Sequence, residues 1–302
     1  MAQSKLAARP LSGSIGAEIR GLDLSGEMDA GTVAAIRQAL LEHLVLCIRD
    51  QQLTPGQFMK VAECFGEPVE YPLVKGIEGF PKIIEVSKLE HERINFGGLW
   101  HSDTTYLPRP PMGTLLLARE LPPIGGDTLF ANQYLAYEAL SAGMKRMLEG
   151  LVGVNISTKA AAAHTRVDRV ADSGVGRGAD GGADGGADGG ADGGADGGAG
   201  AAEEMVREHP AVRTHPETGR KALFVNFAHT VRFKDMSEEE SAPLLDYLFR
   251  HQTRPEFTCR LGWEPGTLTF WDNRAAQHNP INDYHGHKRV MHRITLKGDT
   301  PV

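Results

Sequence analysis

His101 and Asp103 stand two residues apart in the run Trp100-His101-Ser102-Asp103. In extended backbone, residues i and i+2 point to the same face. An imidazole and a carboxylate can therefore reach one metal ion from one strand end. Such a pair alone is common in solvated loops and specifies little. A third donor is His278, beyond the strand-like Thr267–Trp271 and the turn formers Asp272-Asn273. Taken singly, that histidine reads as an ordinary packed or surface residue. Arg289 and Arg293 follow it. Spaced four apart on a strand, they share a face, and two inward arginines are costly to bury unless anions meet them. An exposed basic face is the plain alternative, but the apolar Met291 between them on that face fits it poorly.

Taken together, these residues suggest a specific chemistry. Two histidines and one carboxylate form a facial set that leaves open positions on iron(II). A chelating 2-oxo acid can take two of them and oxygen the third. The far carboxylate of that acid then needs a cation, which arginine supplies as a bidentate, permanently charged partner. The same ligands could serve zinc-assisted hydrolysis. The trailing arginines favour the oxo acid.

The elements that must position these residues are mostly short strands. Residues 11–24 alternate at Ile15, Ala17 and Ile19, as a half-buried strand does. Asp29–His43 has one apolar helical face through Val33, Ile36 and Leu40, and Leu44–Ile48 reads as a buried strand. Thr54 and Pro55 look like an N-cap and first helical residue, opening a helix to about Phe65. Strands are expected at Lys82–Ser87, Gly113–Ala118, Leu151–Ser157, Ala222–Asn226, Phe257–Trp263, Thr267–Trp271 and Val290–Leu296. Helices are expected over Tyr134–Glu149 and Ser237–Thr253, the latter with Leu244, Leu245, Leu248 and Phe249 inward. The pattern is mainly β with flanking helices, in one domain over residues 1–302.

Residues 179–198 are five copies of Ala-Asp-Gly-Gly. With no apolar side chain larger than alanine, the tract cannot offset its chain entropy. Residues 159–203 therefore read as an inserted flexible loop. A calcium-binding glycine–aspartate repeat would need a nine-residue period with a large apolar residue.

The chain has 302 residues, 41% of them hydrophobic, with a formal charge of −7. That supports one sizeable core, and no Lys/Arg-rich run is present to hold nucleic acid or an anionic membrane. The three cysteines are widely spaced, which implies neither a disulfide framework nor a zinc site. No signal-peptide pattern or membrane span is read, so the cytoplasm is the expected location.

The blocks WHSDTTY, GGDTLFAN, RTHPETGRKALFVN, WDNRAAQHNPINDY and KRVMHRITLKGD together resemble the taurine dioxygenase and chlorophenoxyacetate dioxygenase family. The resemblance runs from about Leu11 to Asp299. It implies a double-stranded β-helix (jelly-roll) core, iron(II), and 2-oxoglutarate as co-substrate. By position it implies His101, Asp103 and His278 as iron ligands. Thr128 and Arg289 would hold 2-oxoglutarate, and Arg293 would meet an anionic group on the primary substrate, with Tyr71 and Thr104 as further substrate contacts. Asp103 argues against a halogenase, which would lack that carboxylate. Taurine-type members carry a His-Pro where this chain has Tyr71-Pro72, and an asparagine where it has Gly97. The stretch VEYPLVKGIEGFP looks closer to phenoxypropionate-type members. The expected function is hydroxylation of a small anionic organic substrate by O2, with a sulfonate releasing sulfite and an aldehyde as the first choice. The alternatives are ether cleavage of an aryloxyalkanoate and, more distantly, a non-catalytic relative or a zinc hydrolase. Relatives form dimers or tetramers, so a homo-oligomer is expected, and the inserted loop falls where family members close a lid.

Overall fold

A strand with apolar residues on both faces must lie between two layers. Gly113–Glu120 is such a strand. Its Leu115 and Leu117 enter one cluster of buried side chains, and its Leu116 and Ala118 enter another. The same division runs through Leu268–Asp272, with Leu268 and Phe270 on one side and Trp271 on the other. It recurs in Arg289–Leu296, where Ile294 and Leu296 oppose Met291. In the computed structural model, which describes residues 6–72, 74–157 and 205–302, these three strands are neighbours in the main sheet.

The main sheet has nine strands. Leu268–Asp272 lies between Val45–Ile48 and Gly113–Glu120, and Arg289–Leu296 lies between Gly113–Glu120 and Phe80–Lys88, all antiparallel. Facing it is a three-stranded antiparallel sheet in the order Thr258–Leu261, Thr128–Asn132, Ala276–Pro280. Between the two sheets, Leu116, Trp271 and Met291 meet Phe130, Leu261 and Ala276. This is the jelly-roll core, and the gap between its sheets is where the chemistry-bearing residues lie.

Helices Ala30–His43 and Pro55–Glu63 cover the outer face of the main sheet, contributing Ile36, Leu40, Phe58 and Val61. Thr54 and Gln57 form a reciprocal capping box at the second helix, a feature that contributes about 1 kcal/mol. A third cluster joins Gln133–Glu138 and Glu238–Gln252 to strands Lys221–Leu223 and Thr230–Phe233.

Several element boundaries differ from expectation for local reasons. The span 11–24 yields only the strand Ala17–Ile19, because the Ser12 hydroxyl accepts from the Ser14 and Ile15 amides and folds that stretch into a turn. Tyr134–Glu149 is two helices, Gln133–Glu138 and Ala142–Leu148, since Ser141 caps a new helix by accepting from the Met144 amide. The helix opened by Thr54 ends at Glu63. In Glu238–Gln252, Leu245 and Leu248 are buried while Leu244 and Phe249 are half-buried. Ala276–Pro280, which carries His278, is a strand that the local sequence did not announce. The inserted segment 159–203 lies outside the described residues. Among the described residues, no helix is long and apolar enough to cross a membrane.

Phe270 is 1% exposed and packs against Phe65 with ring centroids 5.2 Å apart. Phe270→Ala is expected to cost about 3–5 kcal/mol, read as a lowered urea midpoint at constant m-value. A loss under about 1 kcal/mol would mean that this layer is not the core.

Candidate active site

His278 lies within the strand Ala276–Pro280, whereas His101 lies in a loop. A two-residue antiparallel bridge unites them. The His101 amide donates to the His278 carbonyl at 3.0 Å, and the His278 amide donates to the His101 carbonyl at 2.8 Å. Residues opposite each other in such a pair project to the same side, and the imidazole centroids lie 4.1 Å apart. Asp103, two residues on, reaches the same point. Its Oδ1 is 3.6 Å from His101 Nε2 and 3.7 Å from His278 Nε2. All three side chains are buried, and their ligand atoms lie within 4.8 Å of one another.

These donors fit a divalent metal. His101 Nδ1 lies 2.6 Å from the Leu99 carbonyl, which can only accept, so Nδ1 carries the proton and Nε2 keeps its lone pair. Burial pushes both imidazoles below the usual histidine range, toward the neutral form a metal needs. Burial alone would raise the Asp103 carboxyl. Arg293, then the imidazoles and the Thr114 hydroxyl, hold it below the usual carboxylate range instead. Asp103 Oδ1 has no hydrogen-bond partner, an expensive omission for a buried carboxylate unless a cation takes that lone pair.

The other carboxylate oxygen is fully engaged. Thr114 Oγ1 donates to Asp103 Oδ2 at 2.7 Å, and Asn273 Nδ2 donates to Thr114 Oγ1 at 3.0 Å. Asn273 Oδ1 in turn accepts from Trp271 Nε1 at 2.9 Å. Arg293 Nη2 is 2.8 Å from Asp103 Oδ2, an ion pair off the axis of a hydrogen bond. Thr114 and Asn273 were not singled out in the sequence. Asn273 sits inside the WDNR block, but nothing local says that its amide faces Thr114, 159 residues earlier in the chain.

His101, His278, Thr128, Arg289 and Arg293 open on one cleft, walled also by Val86, Phe96 and Leu116. Arg289 is 5% exposed, and its Nε and Nη2 have no hydrogen-bond partner. Its guanidinium lies 5.3 Å from the Trp263 ring, whose Nε1 donates to Thr128 Oγ1 at 3.1 Å. Thr128 and Arg289 thus line the same cleft, with Trp263 in contact with both.

The Arg293 guanidinium lies 4.6 Å from the Tyr71 ring, so Tyr71 also belongs to this end of the site. Thr104 is buried beside Asp103 with φ 41°, a region costly for a β-branched residue, and its hydroxyl has no hydrogen-bond partner. Gly97 also has positive φ, and a Cβ there would come within 3.1 Å of His101 Cε1. That packing excludes the asparagine of taurine-type members without adjustment of the ligand. His229 and Tyr106, not foreseen, stand edge to face at 5.0 Å, with His229 6.3 Å from the His101 ring.

The family model described as "Taurine catabolism dioxygenase TauD, TfdA family" matches residues 7–295. The chain is 36% identical to an alkylsulfatase of Acinetobacter baylyi, over 98% of this chain and 86% of that protein. It is 33% identical to an alpha-ketoglutarate-dependent sulfate ester dioxygenase of Pseudomonas putida, over 99% of this chain and 91% of that protein. It superimposes on a crystal structure of a taurine dioxygenase from Burkholderia xenovorans with a TM-score of 0.77 at 34% identity, covering 99% and 93% of the two chains.

Thr114→Val keeps the side-chain shape and removes the hydroxyl that orients Asp103. It is expected to weaken iron(II) affinity about tenfold or more, measured anaerobically by competition with a chromogenic chelator. An unchanged affinity would show that the Asp103 carboxylate needs no such support.

Proposed function

Because the chain belongs to the taurine catabolism dioxygenase TauD, TfdA family and so is an iron(II)- and 2-oxoglutarate-dependent dioxygenase, we propose that its primary substrate is a small organic sulfur oxyanion. The class is an alkanesulfonate or an alkyl sulfate ester, hydroxylated at the carbon next to the heteroatom. The observation that carries this reading is Arg293: a buried, always-charged group in the cleft beside the metal ligands, with Nε unpaired and Tyr71 against its face. The names of the two relatives, alkylsulfatase and sulfate ester dioxygenase, support the sulfate ester as the first compound to try.

His101, Asp103 and His278 would hold the iron. When bound, iron(II) with 2-oxoglutarate supplies oxidative decarboxylation to succinate and carbon dioxide, coupled to insertion of one oxygen atom into a carbon–hydrogen bond. The chain's own part is positioning. Thr128 and Arg289 would fix the distal carboxylate of 2-oxoglutarate, and Arg293 would anchor the substrate anion so that its adjacent carbon faces the metal. Trp271, Leu116, Val86 and Phe96 keep that volume apolar and exclude water. A carbon bearing both hydroxyl and a sulfur or sulfate group collapses to an aldehyde. A sulfonate then leaves as sulfite and a sulfate ester as sulfate.

The test is anaerobic titration of the iron(II) protein with 2-oxoglutarate, followed by alkyl sulfates, alkanesulfonates and aryloxyalkanoates. A visible charge-transfer band should form with 2-oxoglutarate and shift with a sulfur oxyanion, and the aerobic reaction should release sulfate or sulfite. A shift only with aryloxyalkanoates would replace the sulfur oxyanion by a carboxylate substrate.

Arg293 also balances Asp103, so removing its charge would disturb the metal as well as the substrate. Arg293→Lys keeps the charge and loses the planar fork. It is expected to raise the substrate KM about tenfold while the 2-oxoglutarate KM changes less than about threefold. An unchanged substrate KM would remove Arg293 from substrate binding.

A further inference from the structure

Lys88 ends the strand Phe80–Lys88 and is 1% exposed. Its Nζ has no hydrogen-bond partner, and no ion pair among the described residues includes it. It lies over the Tyr284 ring, 4.7 Å from the ring centroid. A lysine buried in this way is rare unless something pairs with it.

The register says where it points. Lys88 pairs with Arg289 across the antiparallel ladder, and Val86 pairs with Met291. Directly opposed residues share a face, as do residues two apart on one strand. Val86 and Arg289 line the cleft, so Lys88, two residues beyond Val86, belongs to that same face of the strand pair. Tyr284 joins the two cations. A Cβ added to Gly126 would meet Arg289 Cδ and Tyr284 Cδ1 at 3.3 Å each, so these side chains form one wall with glycine as its floor. Tyr284 and Asp127 are the groups that support the buried Arg289 cation. Asp127 is already bound to Arg260 at 2.6 Å. Among the described residues, these two buried cations, paired across the ladder, have no carboxylate of their own.

We propose that Lys88 is a second cationic contact for the distal carboxylate of 2-oxoglutarate, closing the outer end of its site beside Arg289. The proposal rests on Arg289 and Thr128 holding that carboxylate. With the 2-oxo acid end on the metal, the distal carboxylate lies at the far end of the cleft, where Arg289 offers unpaired Nε and Nη2 and Lys88 an unpaired Nζ. A single carboxylate has lone pairs enough for both. The arrangement also selects for length and charge, because a 2-oxo acid without the second carboxylate would leave both cations buried and unpaired.

The test compares two ligands with the same carbon chain, 2-oxoglutarate and 2-oxopentanoate, which lacks the distal carboxylate. Each is titrated anaerobically into the iron(II) forms of wild type, Lys88→Met and Arg289→Met, with dissociation constants read from the charge-transfer band. Lys88→Met is expected to raise the constant for 2-oxoglutarate about tenfold and leave that for 2-oxopentanoate within about twofold. If Lys88→Met changes neither constant while Arg289→Met raises the one for 2-oxoglutarate, Lys88 is only a partner for Tyr284 and the proposal is wrong. Equal weakening of both ligands by Lys88→Met would mean general damage to the site and would equally overturn it. If Arg289→Met also leaves 2-oxoglutarate unaffected, the underlying placement of the distal carboxylate fails instead.

Discussion

A carboxylate that is 1% exposed between two imidazoles and a guanidinium is the constraint on which the active site depends. Burying the Asp103 charge is tolerable only because its two oxygens have separate partners. Oδ2 is bonded to Thr114 and faces Arg293, while Oδ1 is left bare toward the two Nε2 atoms. That asymmetry turns an acidic side chain into a directed ligand. The imidazoles would clash electrostatically if charged, and burial keeps them neutral.

The jelly roll supplies this geometry through strand pairing. Asp103 sits in a loop, a poor place to hold an atom to a fraction of an ångström. The two-hydrogen-bond bridge from His101 to His278 fastens that loop to the small sheet. Buried polar contacts from its next turn fasten it elsewhere: Asn226 Nδ2 donates to Thr105 Oγ1 at 3.0 Å, and Asn226 accepts from the His229 amide. The turn before the His278 strand is clamped as well. Asp272, wholly buried, accepts from Arg274 and from His215 Nε2, and Arg274 continues to Glu217. Each ligand-bearing segment is thus tied at more than one point, so the ligand set can exist before the metal arrives.

The charge pattern of the cleft runs the opposite way from that of the whole chain. The formal charge is −7, yet the cleft is lined by Arg289 and Arg293, with the buried Lys88 paired to Arg289 across the ladder and Asp103 beside Arg293. An excess of buried cation in an acidic protein is a demand for small anions, and it places them. One demand lies beside the metal at Arg293, and the other lies at the outer end near Arg289. Under the proposed function, the two ends would take the two anionic reactants that must be bound together for the chemistry to occur.

Much of this could be read directly from the chain. The His101–Asp103 spacing, the later His278, and arginines four apart on one strand restrict the chemistry, because ligand number, charge and strand period are local properties. The apolar run Leu115–Ala118 and the cap at Thr54 place a strand and a helix for the same reason. What the sequence could not show depends on contacts between distant segments. Thr114 reaches Asp103 only because its strand lies beneath the loop, Asn273 reaches Thr114 across 159 residues, and His278 joins a strand only by pairing with Phe130 on a distant segment. Lys88 looks like a surface lysine in its own stretch, and only pairing with Arg289 across the sheet buries it. The sequence by itself determined which donors and charges the site contains, because these are properties of residue type and spacing. Tertiary structure alone decided which oxygen of Asp103 is free and which cations lack a partner, because burial and pairing arise only when remote strands come together.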